Sequence, residues 1–165
     1  MTTTPGSHEI SMDPAQFKDI ARHWLTGVSV VTALRENLPF GITLSALTPL
    51  SLSPSQFLIC VNNNSDTLAA INECGAFCIN FLGEGQSELA TRFARKGASK
   101  FSGVDYQRGR RGMPILLDVV AHVECTVMST MAGGDHVIII GCAEHGATSG
   151  GKPLAYYNAS FGALA

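Results

Sequence analysis

Several short clusters in this sequence of 165 residues combine residue types that could do chemistry. Gly134-Asp135-His136 places an acid and an imidazole beside a flexible glycine. Histidine is the side chain best able to handle a proton near neutral pH, although a turn histidine also serves as a plain hydrogen-bonding cap. Asn62-Asn63-Asn64-Ser65-Asp66-Thr67 is a run of amides and hydroxyls. Such a run, leading from a strand into a helix, suits a phosphate oxygen, and it equally suits ordinary helix capping. Arg92, Arg95, Lys96, Lys100, Arg108, Arg110 and Arg111 gather seven of the eleven basic residues into a span of twenty. That span would attract a phosphate-bearing ligand or form a solvated basic face.

Two further clusters fail on their chemistry. Gly83-Glu84-Gly85-Gln86-Ser87-Glu88 has the strand-to-helix setting of a dinucleotide loop. Its third glycine is replaced by Glu88, however, and two carboxylates would repel a pyrophosphate, so it reads as a helix cap. His122-Val123-Glu124-Cys125 resembles the opening of a zinc deaminase site but lacks the completing Pro-Cys-x-x-Cys. On a strand His122 and Glu124 share a face, and a hydrogen-bonded structural pair is expected. No hydrolase nucleophile elbow surrounds any serine or cysteine. Cys74 and Cys78 find no second ligand pair, so no metal site is expected. With Cys60, Cys125 and Cys142 they make five, an odd number that reads as reduced cytosolic thiols.

Composition narrows the class. Apolar residues make up 45% and charged residues 15%, which excludes intrinsic disorder, and the low charge hints at burial against a partner. A net charge of -2 argues against binding duplex nucleic acid, and no apolar run approaches the roughly 20 residues of a membrane span. No secretory signal is visible, so a cytoplasmic protein is expected.

The elements that must position these clusters follow from capping and periodicity. Residues 1–12 read as a loose tail and 13–165 as one domain. Asp13-Pro14 opens a helix whose apolar stripe, Phe17, Ile20, Ala21, Trp24 and Leu25, is expected to pack into the core, with Gly27 as its stop. Strands are expected at 28–33, 40–47 and 52–61, forming a three-stranded meander. A helix from Ser65 to Gly75, a strand at 76–82 and a helix at 84–96 come next. A long hairpin of 115–131 with 136–147 and a last strand at 154–159 complete a predominantly antiparallel barrel with a few helices.

Taken together, the pieces resemble a family, the short-chain flavin reductases that serve two-component monooxygenases. The resemblance is carried by Leu25-Thr26-Gly27-Val28-Ser29-Val30-Val31-Thr32, by Gly41-Ile42-Thr43-Leu44-Ser45-Ala46 and by Asn64-Ser65-Asp66-Thr67. It continues through Arg92-Phe93-Ala94-Arg95-Lys96, Lys100-Phe101-Ser102-Gly103, Val123-Glu124-Cys125 and Gly134-Asp135-His136. One departure is Pro54-Ser55, where the family usually carries two prolines. The resemblance implies a mainly β, FMN-binding split β-barrel with a Greek key, assembled as a homodimer. It further implies hydride transfer from NADH or NADPH to FMN or FAD, with reduced flavin passed to a flavin-dependent monooxygenase component. By the same resemblance Thr43, Ser45 and Ala46 would line the isoalloxazine, and Asn62, Ser65 and Thr67 would hold the phosphate. Phe93, Ala94 and Arg95 would close the far side, and His136 would face the nicotinamide. A non-catalytic flavin carrier on the same barrel, or a ligand-free dimeric interaction domain, are the alternatives.

Overall fold

The structure is a computed structural model that describes residues 12–164. The tail expected over 1–12 lies, apart from Met12, outside the described residues. Three α-helices, α1 (Pro14–Ala21), α2 (Asp66–Cys74) and α3 (Ser87–Ala94), accompany twelve strands. The strands are β1 (Thr26–Gly27), β2 (Ser29–Arg35), β3 (Leu38–Leu44), β4 (Leu47–Leu52), β5 (Ser55–Asn62) and β6 (Ala76–Phe81), followed by β7 (Tyr106–Arg108), β8 (Pro114–Leu116), β9 (Ala121–Gly133), β10 (His136–Thr148), β11 (Leu154–Tyr157) and β12 (Ser160–Ala163). Seven of them form one antiparallel sheet in the order β3-β2-β6-β9-β10-β5-β4.

Alternation along the strands divides the core between the two faces of this sheet. Val31, Phe77, Ile79, Cys125 and Ile139 pack with Leu68 and Ile71 of α2 on one face. Val30 meets Ala90 and Phe93 of α3, with Leu116 and Leu154, on the other. Helix α2 is held at both ends by local chemistry. Ser65 Oγ accepts the Thr67 N–H at 3.2 Å, and Gly75 closes the helix in the left-handed region at φ 66°.

Six expectations are corrected. The apolar stripe of α1 is not in the core, since Phe17, Ile20, Trp24 and Leu25 are all more than half exposed. The helix ends at Ala21, and Gly27 pairs with Ala155 in β1. A periodic stripe states only that a helix has an apolar face, and nothing among the described residues covers it. The meander is also absent, because the β2–β3 hairpin lies at one edge of the sheet while β4–β5 lies at the other, joined to β10. Helix α3 begins at Ser87 because Gln86 instead closes a turn, accepting the Gly83 N–H at 2.9 Å and donating to Leu117 O at 3.0 Å. The long hairpin starts at Ala121, since Pro114–Leu116 is diverted to pair with β7. Finally, the last expected strand is a β11–β12 hairpin turning at Asn158 and Ala159, both at positive φ.

A buried polar link fixes β8 to the sheet. Asn80, fully buried, donates through Nδ2 to Val30 O (3.1 Å) and Thr32 Oγ1 (3.2 Å) and accepts the Leu116 N–H at 2.8 Å. Thr32 Oγ1 donates to Pro114 O. Asn80→Leu keeps the volume but strands the Leu116 N–H without an acceptor. It is expected to cost about 2–3 kcal/mol, read as a lower urea midpoint at unchanged slope.

Candidate functional site

Three connections meet at one end of the large sheet. The first is the bend at Ser45 and Ala46 between β3 and β4, where both residues are exposed. The second is the β5–α2 link from Asn62 to Thr67, and the third is the tip of the β9–β10 hairpin. Register brings them together. His136 pairs directly with Asn62, and two positions along the same ladder Ile138 faces Cys60, whose N–H donates to Ala46 O at 2.9 Å. Two strand positions are roughly 7 Å, so the bend, the amide cluster and the imidazole share one small area.

The link and the tip are tied to each other. The Asn63 N–H donates to Asp135 O at 3.0 Å, and Asn63 Nδ2 donates to Gly134 O at 3.3 Å. Gly134 turns at φ 69°, which frees Asp135 and His136 to project beyond the ladder. His136 Nδ1 lies 2.6 Å from an Asp135 carboxylate oxygen. The hydrogen bond from His136, reinforced by its charge when protonated, holds the Asp135 carboxyl below its ordinary range. Asp135 therefore remains ionised at neutral pH and holds the ring through Nδ1, leaving Nε2 without a hydrogen-bond partner among the described residues.

The amide cluster behaves as a cap whose donors are not exhausted. Asn62 Oδ1 accepts the Asn64 N–H at 2.9 Å, and Ser65 Oγ accepts from Thr67 while keeping its own proton to give. Thr67 is buried and lines a narrow crevice with Gly41, Asp66 and Lys100.

Lys100 is the residue in this region that sequence reasoning did not single out from the basic run. Its ammonium donates to Gly41 O at 3.0 Å and Phe93 O at 3.2 Å, joining β3 to the end of α3. Desolvation pulls its pKa down, and the nearby Asp66 carboxylate opposes that shift. The result is a half-buried cation beside the positive end of α2, with the Asp66 carboxylate of the helix's first turn close to both. The only signal in the sequence was its place in Lys100-Phe101, next to a ring that stacks on Phe93 at 4.9 Å.

The other expected residues fall into two groups. Thr43 spends its hydroxyl proton on Ala90 O at 2.7 Å, clamping α3 to β3 rather than presenting a donor outward. Phe93 is fully buried behind β3, where a Cβ on Gly41 would lie 2.7 Å from its ring. Ala94 and Arg95 are exposed just past it, with Arg95 facing a cleft shared with Arg92 and Phe161. The expected His122–Glu124 pair is corrected. Glu124 instead accepts the N–H groups of Arg111 (3.0 Å) and Met113 (3.3 Å), because the loop from 109 to 113 folds over it.

The arrangement offers donors, one cation and an oriented imidazole, with no activated nucleophile. The most deeply buried thiols, Cys78 and Cys125, are pushed upward by burial, Cys125 to about 12, so neither supplies a thiolate.

Residues 21–165 match the flavin reductase like domain. The reductase component of a 4-nitrophenol 4-monooxygenase/4-nitrocatechol 2-monooxygenase from Rhodococcus opacus is 38% identical over 92% of this chain and 81% of its own length. A flavin reductase (NADH) from Kitasatospora aureofaciens is 38% identical over 82% of this chain and 74% of its own. The solved structure of a Streptomyces globisporus NADH:FAD oxidoreductase in complex with NAD and FAD fragments matches with a TM-score of 0.88 at 30% identity, covering 93% of each chain. On sequence and on fold alike, this chain belongs to the flavin reductase like family.

Proposed function

We propose that this protein is an NAD(P)H-dependent flavin reductase that passes reduced FMN or FAD to a flavin-dependent monooxygenase component. The observation that carries the reading is the pairing of His136 with Asn62, which sets the imidazole beside the amide and hydroxyl cap of α2. When bound, the flavin accepts a hydride at its ring system from a reduced nicotinamide, so the protein's task is alignment and charge stabilisation.

The residues present fit that group. Ser65 Oγ–H, the first N–H groups of α2 and Lys100 form a phosphate seat of complementary charge. Ser45 and the Ala46 backbone offer neutral donors at the exposed bend, suited to negative charge on a reduced ring because they add no fixed charge of their own. Asn62 spaces the seat from the bend, Thr67 and Phe93 back it from inside, and Ala94 and Arg95 border its far side. His136, held by Asp135, takes the nicotinamide side.

We further propose that the sheet is a split β-barrel with a Greek key and that the chain works as a homodimer. The exposed Phe17, Trp24 and Leu25 support this, as does an apolar cleft of about 480 Å³ between Leu25, Tyr157, Phe161 and Leu164. Five free thiols favour a reducing compartment such as the cytoplasm. Among the described residues no helix is long and apolar enough to cross a membrane.

The test is to mix the purified protein with FMN or FAD and NADH or NADPH and follow absorbance at 340 nm. Flavin-dependent loss of nicotinamide is expected. Stoichiometric flavin binding without turnover would instead mark a carrier, and a protein that does not quench flavin fluorescence would have no flavin site. Ser65→Ala is expected to cost about 1 kcal/mol of stability through the lost cap and to raise the KM for FMN about tenfold. The KM for riboflavin, which lacks the phosphate, should stay unchanged.

A further inference from the structure

A further cleft, of about 580 Å³, opens between the loop from 107 to 110 and the far ends of β9 and β10. His145 lies nine residues along β10 from His136, about 30 Å away at strand spacing, so this cleft is separate from the flavin constellation. Its volume falls in the range of small-molecule sites.

The floor of the cleft is Glu124, only 1% exposed. One carboxylate oxygen, Oε1, accepts both loop N–H groups, whereas Oε2 accepts none among the described residues and is not fully enclosed, the one enclosed unpartnered side-chain polar atom there being Thr26 Oγ1. No Lys, Arg or His nitrogen stands within ion-pair distance of it among those residues. A buried carboxylate without a cation is costly, and a glutamine would hold the loop through its carbonyl at a lower desolvation cost. The second oxygen is thus available to accept a donor from the cleft. Gly109 leaves the floor accessible to the loop backbone, since a Cβ there would lie 2.4 Å from the Glu124 carboxylate.

The walls and rim complete the chemistry. His122, two positions from Glu124 on β9, and His145, paired with Glu124 across the β9–β10 ladder, are half-buried and line the cleft. Glu144 is neutralised, since Arg111 pairs with it at 2.5 Å and Thr126 donates to it. Arg108 is pinned to the carbonyls of Asn37 and Gly112, whereas Arg110 is exposed at the rim with no ion-pair partner among the described residues. The cleft thus runs from an acid without a cation at its floor to the exposed Arg110 at its rim, with Arg108 beside it held by two backbone carbonyls.

We propose that this cleft binds a small molecule with a cationic or N–H-rich head against Glu124 and an anionic tail toward Arg108 and Arg110. That chemistry is shared by an aminopurine nucleotide and a guanidino amino acid. In either case the imidazole faces pack the body of the ligand, and the proposal stands whether or not the flavin reading holds.

The test titrates the full-length protein with AMP and, separately, with L-arginine, by calorimetry and ligand-observed NMR. One of the two is expected to saturate one site per chain with a dissociation constant below about 1 mM. Glu124→Gln, which keeps the loop acceptor but turns the second oxygen into a donor, should weaken that binding about tenfold or more. Arg110→Glu, an exposed change that leaves folding intact, should do the same. Saturating FMN should leave the binding undiminished. The proposal fails if neither probe binds up to about 10 mM, if both variants bind as the wild type does, or if FMN or NADH displaces the probe.

Discussion

Phe93→Ala is expected to remove about 3–5 kcal/mol of stability, a fall in Tm on the order of 10 °C for a chain of this size. The ring is fully buried, stacks edge-on against Phe101 at 4.9 Å, and presses against β3 where Gly41 has no side chain. Its loss leaves a cavity between α3 and the sheet that neighbouring residues only partly fill. The backbone consequence is specific, because Lys100 uses the Phe93 carbonyl and the Gly41 carbonyl as its two acceptors. Once α3 loosens, the ammonium loses the frame that aims it at the start of α2. The KM for flavin should therefore rise while the KM for nicotinamide stays within about twofold. Gly41→Ala supplies a check by coupling. Alone it forces a methyl to within 2.7 Å of the ring and should destabilise by about 1–3 kcal/mol. In the Phe93→Ala background the same methyl enters the cavity, so the double variant should be more stable than the sum of the two losses, and simple additivity would refute this account of the packing.

What could be read from the sequence depended on how far each signal travels along the chain. Helix α2 was legible because Ser65 and Gly75 act within one turn of themselves. The hairpin tip was legible because Gly134 and the alternating runs beside it are local. Pairing between distant strands was not: nothing in the residues from 38 to 62 states that β3 and β5 belong on opposite sides of the sheet, so a meander was the natural expectation. Glu124 shows the same limit at the level of a side chain. Along its own strand the nearest polar neighbour is His122, but its actual partners are backbone groups 11 and 13 residues earlier, delivered by a glycine-rich loop. The stripe of α1 was correctly apolar and wrongly placed, since periodicity describes a face without naming what lies against it. Of the candidate site, Asn62, Ser65 and His136 were singled out by type and setting, and the structure brings them together, His136 pairing with Asn62 and the Ser65 N–H donating to Asn62 O at 3.0 Å. The inward duties of Thr43 and Phe93 could not be read, because both depend on where α3 lands.

His136→Ala is expected to lower kcat/KM for NADH by about 10- to 100-fold while leaving the dissociation constant for FMN unchanged. The size follows from the chemistry: hydride transfer depends on holding two rings about 3–3.5 Å apart, and a misplacement of about 1 Å can cost about 100-fold. The imidazole is positioned from two directions, by its ladder pairing with Asn62 and by the Asp135 carboxylate at 2.6 Å. Asp135→Asn should accordingly produce a smaller loss of the same kind, since the amide retains an oxygen for the ring nitrogen but loses the charge. The pH dependence has a definite sign. The Asp135 carboxyl titrates below its ordinary range, so the folded protein's advantage from the ionised Asp135 is complete above the ordinary carboxylate pKa. It disappears as pH falls through the lowered value. Activity lost reversibly in that acidic window in the wild type should be less pH-sensitive there in Asp135→Asn. Stopped-flow reduction of bound FMN across NADH concentrations reads all of these at once. Wild-type rates in His136→Ala at every NADH concentration would remove the imidazole from the nicotinamide side and leave the capped end of α2 as the only part of the site with an assigned role.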